Sequence, residues 1–92
     1  MIIYSEQTIE QSKDIIVSKM GEEKVMLSIT NGKYYNLGEL GGDIWDLLSN
    51  PKPLNQLVME LVKVYDVEQN QCEEQVKLFL EQLLEEGLIK LV

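Results

Sequence analysis

The sequence predicts an α+β fold, and three observations predict it. Lys24 to Ile29 alternates apolar and polar residues, Lys33 to Leu37 takes up the same alternation after a Thr30-Asn31-Gly32 turn, and from Glu39 onward the apolar period becomes helical. An antiparallel hairpin therefore runs straight into helices. Gly32 to Leu48, GKYYNLGELGGDIWDLL, holds that corner, with turn, aromatic strand, glycine pair and helix start following one another almost without linker.

Taken in order, Met1 to Ser12 mixes Ile2, Ile3, Tyr4 and Ile9 with polar residues, which predicts a frayed end and a short strand around Gln7 to Gln11. Asp14 to Met20 carries consecutive β-branched Ile15, Ile16 and Val17 and reads as a strand, closed by a Gly21-Glu22-Glu23 turn. In Lys24 to Ile29, Val25, Leu27 and Ile29 are expected to face the core, with Lys24, Met26 and Ser28 outward. Asn31 and Gly32 tolerate the positive φ of a tight hairpin turn. Tyr34 and Tyr35 are adjacent in the next strand and so point to opposite faces. Tyr35 and Leu37 are expected inward, Tyr34 outward.

Beyond Gly38, Gly41 and Gly42, residues Ile44, Trp45, Leu47 and Leu48 fall on helical spacing, and the first helix should run from Glu39 to about Ser49. Asn50-Pro51-Lys52-Pro53 ends it, because proline lacks an N–H and forces its predecessor out of the helical region. The second helix, Leu54 to about Tyr65, has Leu54, Leu57, Val58, Leu61 and Val62 on one stripe. The third, about Gln69 to Glu86, has Cys72, Val76, Phe79, Leu80, Leu83 and Leu84 on one stripe and stops at Gly87. Leu88 to Val92 returns to extended structure. The expected architecture is a winged-helix-like, three-stranded antiparallel sheet followed by three helices, with residues 1–92 forming a single domain.

Composition narrows the function. A chain of 92 residues buries roughly 60–65% of its unfolded surface, enough for one modest core and no deep active site. Sixteen acidic residues against eight lysines, with no Arg and no His, give a formal charge of -8. That balance repels phosphate, so neither nucleic acid nor an anionic membrane surface is an expected partner. With no His and the single Cys72 there is no zinc constellation and no nucleophile-base pair, so no enzyme, metal or cofactor is expected. Cys72 is expected to be a small buried hydrophobe and Trp45 a core anchor. Without a basic segment leading into a long apolar run, and without a possible internal disulfide, the expected compartment is the cytoplasm.

Two features point to a binding site. A three-stranded sheet has two edges, and Lys33 to Leu37, which lacks proline, lies at one of them. An edge left open suggests docking of an incoming strand, whereas one covered by the tail Leu88 to Val92 would serve only structure. On the third helix, Val76, Phe79, Leu80 and Leu83 form the apolar stripe, and Leu78 stands off it. Glu68 to Glu86 contains six Glu and one Lys, a solvated face that would favour a lysine-bearing ligand if it bordered a groove.

Gly32, Tyr34, Tyr35, Leu37, Glu39, Gly41, Ile44, Trp45 and Leu48, followed by Phe79, Leu80, Leu83, Gly87 and Leu88, resemble the PqqD-like family. The resemblance covers about Asp14 to Leu88, and its Leu-x-x-x-Gly-x-x-Ile-Trp core is its more specific part. Gly38 stands where an Asn usually caps the first helix, and Gln75 where an Asp is common. The resemblance implies a small protein that binds the leader of a ribosomally made precursor peptide. The leader would add as a strand to Lys33, Tyr34, Tyr35, Asn36 and Leu37, with its apolar side chains against Val76, Phe79, Leu80 and Leu83. It further implies a stand-alone leader-binding protein like those of lasso-peptide biosynthesis, which presents the precursor to a separate leader peptidase or other maturation enzyme. The alternative is a winged-helix DNA-binding transcription factor, whose recognition helix would here carry mostly Glu.

Overall fold

The computed structural model describes residues 3–21 and 23–92; the frayed start expected at Met1 and Ile2, and the Glu22 position of the expected turn, lie outside them. In chain order the elements are β1 (Thr8–Gln11), β2 (Ile15–Met20), β3 (Glu23–Ser28), β4 (Lys33–Asn36), α1 (Gly38–Leu47), β5 (Lys52–Pro53), α2 (Leu54–Tyr65), α3 (Gln69–Glu85) and β6 (Ile89–Leu91). The hairpin sheet has the order β2-β3-β4 and is antiparallel throughout. A second three-stranded sheet, β5-β1-β6, joins the two ends of the chain, with Ile9 opposite both Lys52 and Leu91. Only the first sheet was expected. The second depends on pairings between segments about eighty residues apart, which local alternation does not encode.

The face of β3 is a correction. Met26 is fully buried and Ser28 nearly so, Val25 and Leu27 are half-buried, and Ile29, expected inward, is 57% exposed. Apolar residues lie on both faces of this strand, so alternation alone could not choose between them. The choice is made across the hairpin: Met26 pairs with Tyr35 and Leu27 with Tyr34. Tyr35 and Leu37 pack against the core and Tyr34 stands out in solvent, as expected.

Helices α1, α2 and α3 cover the inward face. Leu54, Leu57, Val58 and Leu61 of α2 meet Cys72, Val76, Leu80 and Leu83 of α3, with Ile44 and Trp45 of α1 and its C-cap Leu48 closing the core. Each such fully buried large side chain contributes about 1.5–3 kcal/mol relative to exposure. Trp45 is the anchor expected of it, and its carbonyl accepts a 2.8 Å hydrogen bond from Gln11 Nε2, tying α1 to β1. Among the described residues no helix is long and apolar enough to cross a membrane.

Helix α3 ends in a Schellman motif. Gly87 takes φ 77°, its N–H donates to the Leu84 carbonyl, and the Leu88 N–H reaches back to the Leu83 carbonyl. The chain then reverses into β6, which pairs with β1 rather than with β4. The tail therefore does not cover the hairpin edge.

Candidate functional site

Since β4 pairs only with β3 among the described strands, its other side is an open edge. Along that edge the C-terminal half of α3 runs close by, and the two elements enclose a groove of about 430 Å³. Tyr34, Tyr35, Asn36 and Leu37 line the strand side; Phe79, Gln82, Leu83, Glu85 and Glu86 line the helix side. Two apolar side chains, Phe79 and Leu83, and the unpaired backbone of β4 thus face the same space. An extended segment entering it could pair with β4 and bury side chains against Phe79 and Leu83.

The groove is held at one end by a cluster around Glu86. As the C-cap of α3, Glu86 has a carbonyl with no partner inside the helix, and Asn31 Nδ2 donates to it at 3.1 Å. The Tyr35 hydroxyl donates to Glu86 Oε2 at 2.9 Å and accepts from Asn31 Nδ2, also at 2.9 Å. Asn31 Oδ1 meanwhile accepts from the Lys33 N–H, fixing the turn, and Lys33 Nζ lies 3.7 Å from Glu86 Oε2. The hairpin tip is in this way clipped to the end of α3. Burial and the hydrogen bond to the Glu86 carboxylate both push the Tyr35 hydroxyl pKa up, and the Asn31 amide draws it the other way.

At the other end β4 passes directly into α1. Gly38 takes φ 72°, and its N–H donates to Asn36 Oδ1, so Asn36 holds the corner from inside the strand. The Asn36 amide also donates to Glu23 of β3. Gly41, one turn into α1, faces the Phe79 ring and the Leu37 side chain with no room for a Cβ of its own. Lys24 pairs with Asp46 and packs its stem near Gly42, tying the hairpin to the same helix.

Of the residues singled out from the sequence, Lys33 to Leu37 lie along the edge, and Phe79 and Leu83 face them. Tyr34, 73% exposed, also lines the strand side of the groove. Val76 and Leu80 belong to the core, 1% and 0% exposed, and do not line the groove. Gln82, Glu85, Glu86 and Asn31 were not anticipated at the site. A signal existed for two of them, since Gln82 and Glu86 follow Phe79 at helical spacing and so share its face.

The fold agrees with known proteins. Residues 23–89 match the family model described as Coenzyme PQQ synthesis protein D (PqqD). The chain belongs to the PqqD family. Among solved structures, this PqqD-family chain superimposes on TbiB1 in complex with the TbiA(beta) leader peptide, with a TM-score of 0.81 and 26% identity. The match covers 88% of this chain and 94% of that one. No curated protein matches the chain. The family match takes in β3, β4, all three helices and the start of β6, and so contains both walls of the groove.

Proposed function

We propose that this PqqD-family chain binds the leader segment of a ribosomally synthesised precursor peptide and presents it to a separate leader peptidase or other maturation enzyme. The leader lies as an added strand on β4 and sets alternate side chains against Phe79 and Leu83. The observation that carries this reading is the open β4 edge facing Phe79 and Leu83 of α3, in a family member whose structural neighbour TbiB1 was solved with a leader peptide.

Backbone pairing along the edge supplies affinity with little sequence demand, and the side-chain contacts supply selectivity. Ordering a disordered leader costs about 2–5 kcal/mol of the gross interaction. The apolar contacts must exceed that cost. Glu85 and Glu86 on the helix side place negative charge beside the groove and favour a leader with a basic residue there. The same charge, on a chain of net -8, works against the DNA-binding alternative.

The test is an isothermal titration of the purified chain with the leader half of the precursor peptide encoded beside its own gene, and with the core half as control. Saturable binding of the leader half alone is the expected result. A folded sample that binds neither half would sink the proposal.

A further inference from the structure

The turn between β3 and β4 carries a reactive pair of residues that the groove does not use. The chain has five asparagines, Asn31, Asn36, Asn50, Asn55 and Asn70, and only Asn31 is followed by glycine. In an Asn-Gly pair the glycine nitrogen can attack the side-chain amide, because no Cβ on the second residue obstructs the ring that forms. Both residues are exposed, Gly32 takes φ 70°, and a Cβ placed on Gly32 would meet nothing within 4 Å. Asn36 is followed by Leu37, and Asn50 by Pro51, whose nitrogen has no proton to lose. Asn55 and Asn70 are followed by glutamines inside helices.

The folded turn restrains this reaction at both reacting groups. The nucleophile is engaged, since the Gly32 N–H donates to the Ser28 carbonyl at 2.8 Å. The leaving group is engaged as well. Asn31 Nδ2 donates to the Tyr35 hydroxyl and to the Glu86 carbonyl, while Oδ1 accepts from the Lys33 N–H. Attack thus requires the hairpin tip to part from α3, a local opening that leaves the core folded.

We infer that Asn31 is a site of spontaneous deamidation whose product keeps the hairpin tip detached from α3. Gly32 N gives up its proton and bonds to Asn31 Cγ, the Cγ–Nδ2 bond breaks, and ammonia leaves with that proton. Water then opens the cyclic imide, at Cγ to give aspartate or at the main-chain carbonyl carbon to give isoaspartate, and nothing is oxidised or reduced. Either product replaces a donor amide by a carboxylate that only accepts. The Glu86 carbonyl loses its partner, and the Tyr35 hydroxyl, with one proton, faces two carboxylates. Isoaspartate also lengthens the backbone between Ser28 and Lys33, the pair that closes the hairpin and sets its register. If the leader-binding reading holds, deamidation loosens one end of the groove and lowers affinity for the leader.

The experiment incubates the whole chain at mildly alkaline pH, in buffer and in urea, and reads each asparagine by peptide mass mapping. Ion exchange separates the more acidic product. Asn31 should convert and the other four should not, several-fold faster in urea than in buffer. Tyr35→Phe keeps the ring and removes the hydroxyl that Asn31 donates to, so in buffer it should convert several-fold faster than wild type, with a thermal melt verifying its fold. In the purified product, and in Asn31→Asp, NMR shifts at Glu86 and Gly87 should move alike and leader affinity should fall several-fold. A folded chain that stays intact at Asn31 while the urea sample converts overturns the inference, as does conversion spread over the other asparagines or a Tyr35→Phe rate equal to wild type. Unchanged Glu86 and Gly87 shifts in the converted chain overturn the release of the tip. Moved shifts with unchanged leader affinity remove the consequence for the groove. If the tip is released but neither form binds leader, the leader-binding reading fails and the deamidation site stands.

Discussion

Phe79 on α3 lies so close to Gly41 on α1 that a Cβ at Gly41 would stand 2.9 Å from Phe79 Cζ and 2.9 Å from the Leu37 Cβ. No real Cβ tolerates both contacts. The missing side chain lets the Phe79 ring, part of the groove wall, rest against α1 beside Leu37.

Gly41→Ala should therefore displace the Phe79 ring and cost about 1–3 kcal/mol in stability, as overpacking does. Leader binding should weaken in the same variant. Denaturant melts and titration of one sample separate the two effects, and unchanged affinity in a destabilised Gly41→Ala would mean that the Phe79 position does not matter to the ligand.

Phe79→Ala removes the wall without crowding. Because Phe79 is only half-buried, its stability loss should fall below the ~3–5 kcal/mol of a fully buried Phe. The leader titration should lose most of its signal while the melt remains cooperative. An unaltered affinity in the folded variant would exclude Phe79 from the site.

Strand addition makes a prediction about backbone rather than side chains. In an antiparallel or parallel ladder only alternate amides of β4 face the newcomer, so leader addition should slow hydrogen exchange at alternate positions between Lys33 and Asn36. Uniform or absent protection there, with the leader bound, would point to side-chain docking without pairing.

Asn31 joins the turn, the Tyr35 hydroxyl and the Glu86 carbonyl. Asn31→Ala should lower stability by about 1 kcal/mol and weaken leader binding, because the hairpin tip is no longer held to α3. NMR shifts at Glu86 and Gly87 check the local change. Shifts confined to the turn would show that the clip does not shape the groove.

Tyr65 supplies a pH signature. Its hydrogen bond to Asp43, with burial second, pushes its pKa up to about 12 from the ordinary value of 10.0. The folded state thus holds the proton more tightly than the unfolded one. The stabilisation is complete below about pH 10 and is lost as pH rises toward 12. Tyr65→Phe should show a shallower fall in melting temperature over that window than the wild type, and identical slopes would mean the hydroxyl is not held as described.

Much of the architecture could be read from local pattern because it is written in local pattern. Leu54 to Tyr65 was predicted as a helix with the bounds it has, since Pro53 starts it and Asp66 ends it in a left-handed cap. The hairpin, the Gly87 stop and the opposite facing of Tyr34 and Tyr35 follow from equally short-range rules. The candidate site was half legible. The edge strand and Phe79 border the groove, whereas Val76 and Leu80, expected on the same wall, lie in the core, because a helical stripe does not say which of its residues meet a neighbour and which remain at a groove.

Sequence alone was enough for the order of elements, the absence of His and the acidic balance, all of which reside in residue type and in spacing over a few positions. Packing in three dimensions settled the rest. The buried face of β3 was chosen by Met26 meeting Tyr35 across the hairpin, and the second sheet by Ile9 meeting Leu91. That same pairing draws the tail to β1 and leaves the β4 edge open. Contacts between distant segments gain their energy only once the chain has closed on itself, so no window of neighbouring residues contains them.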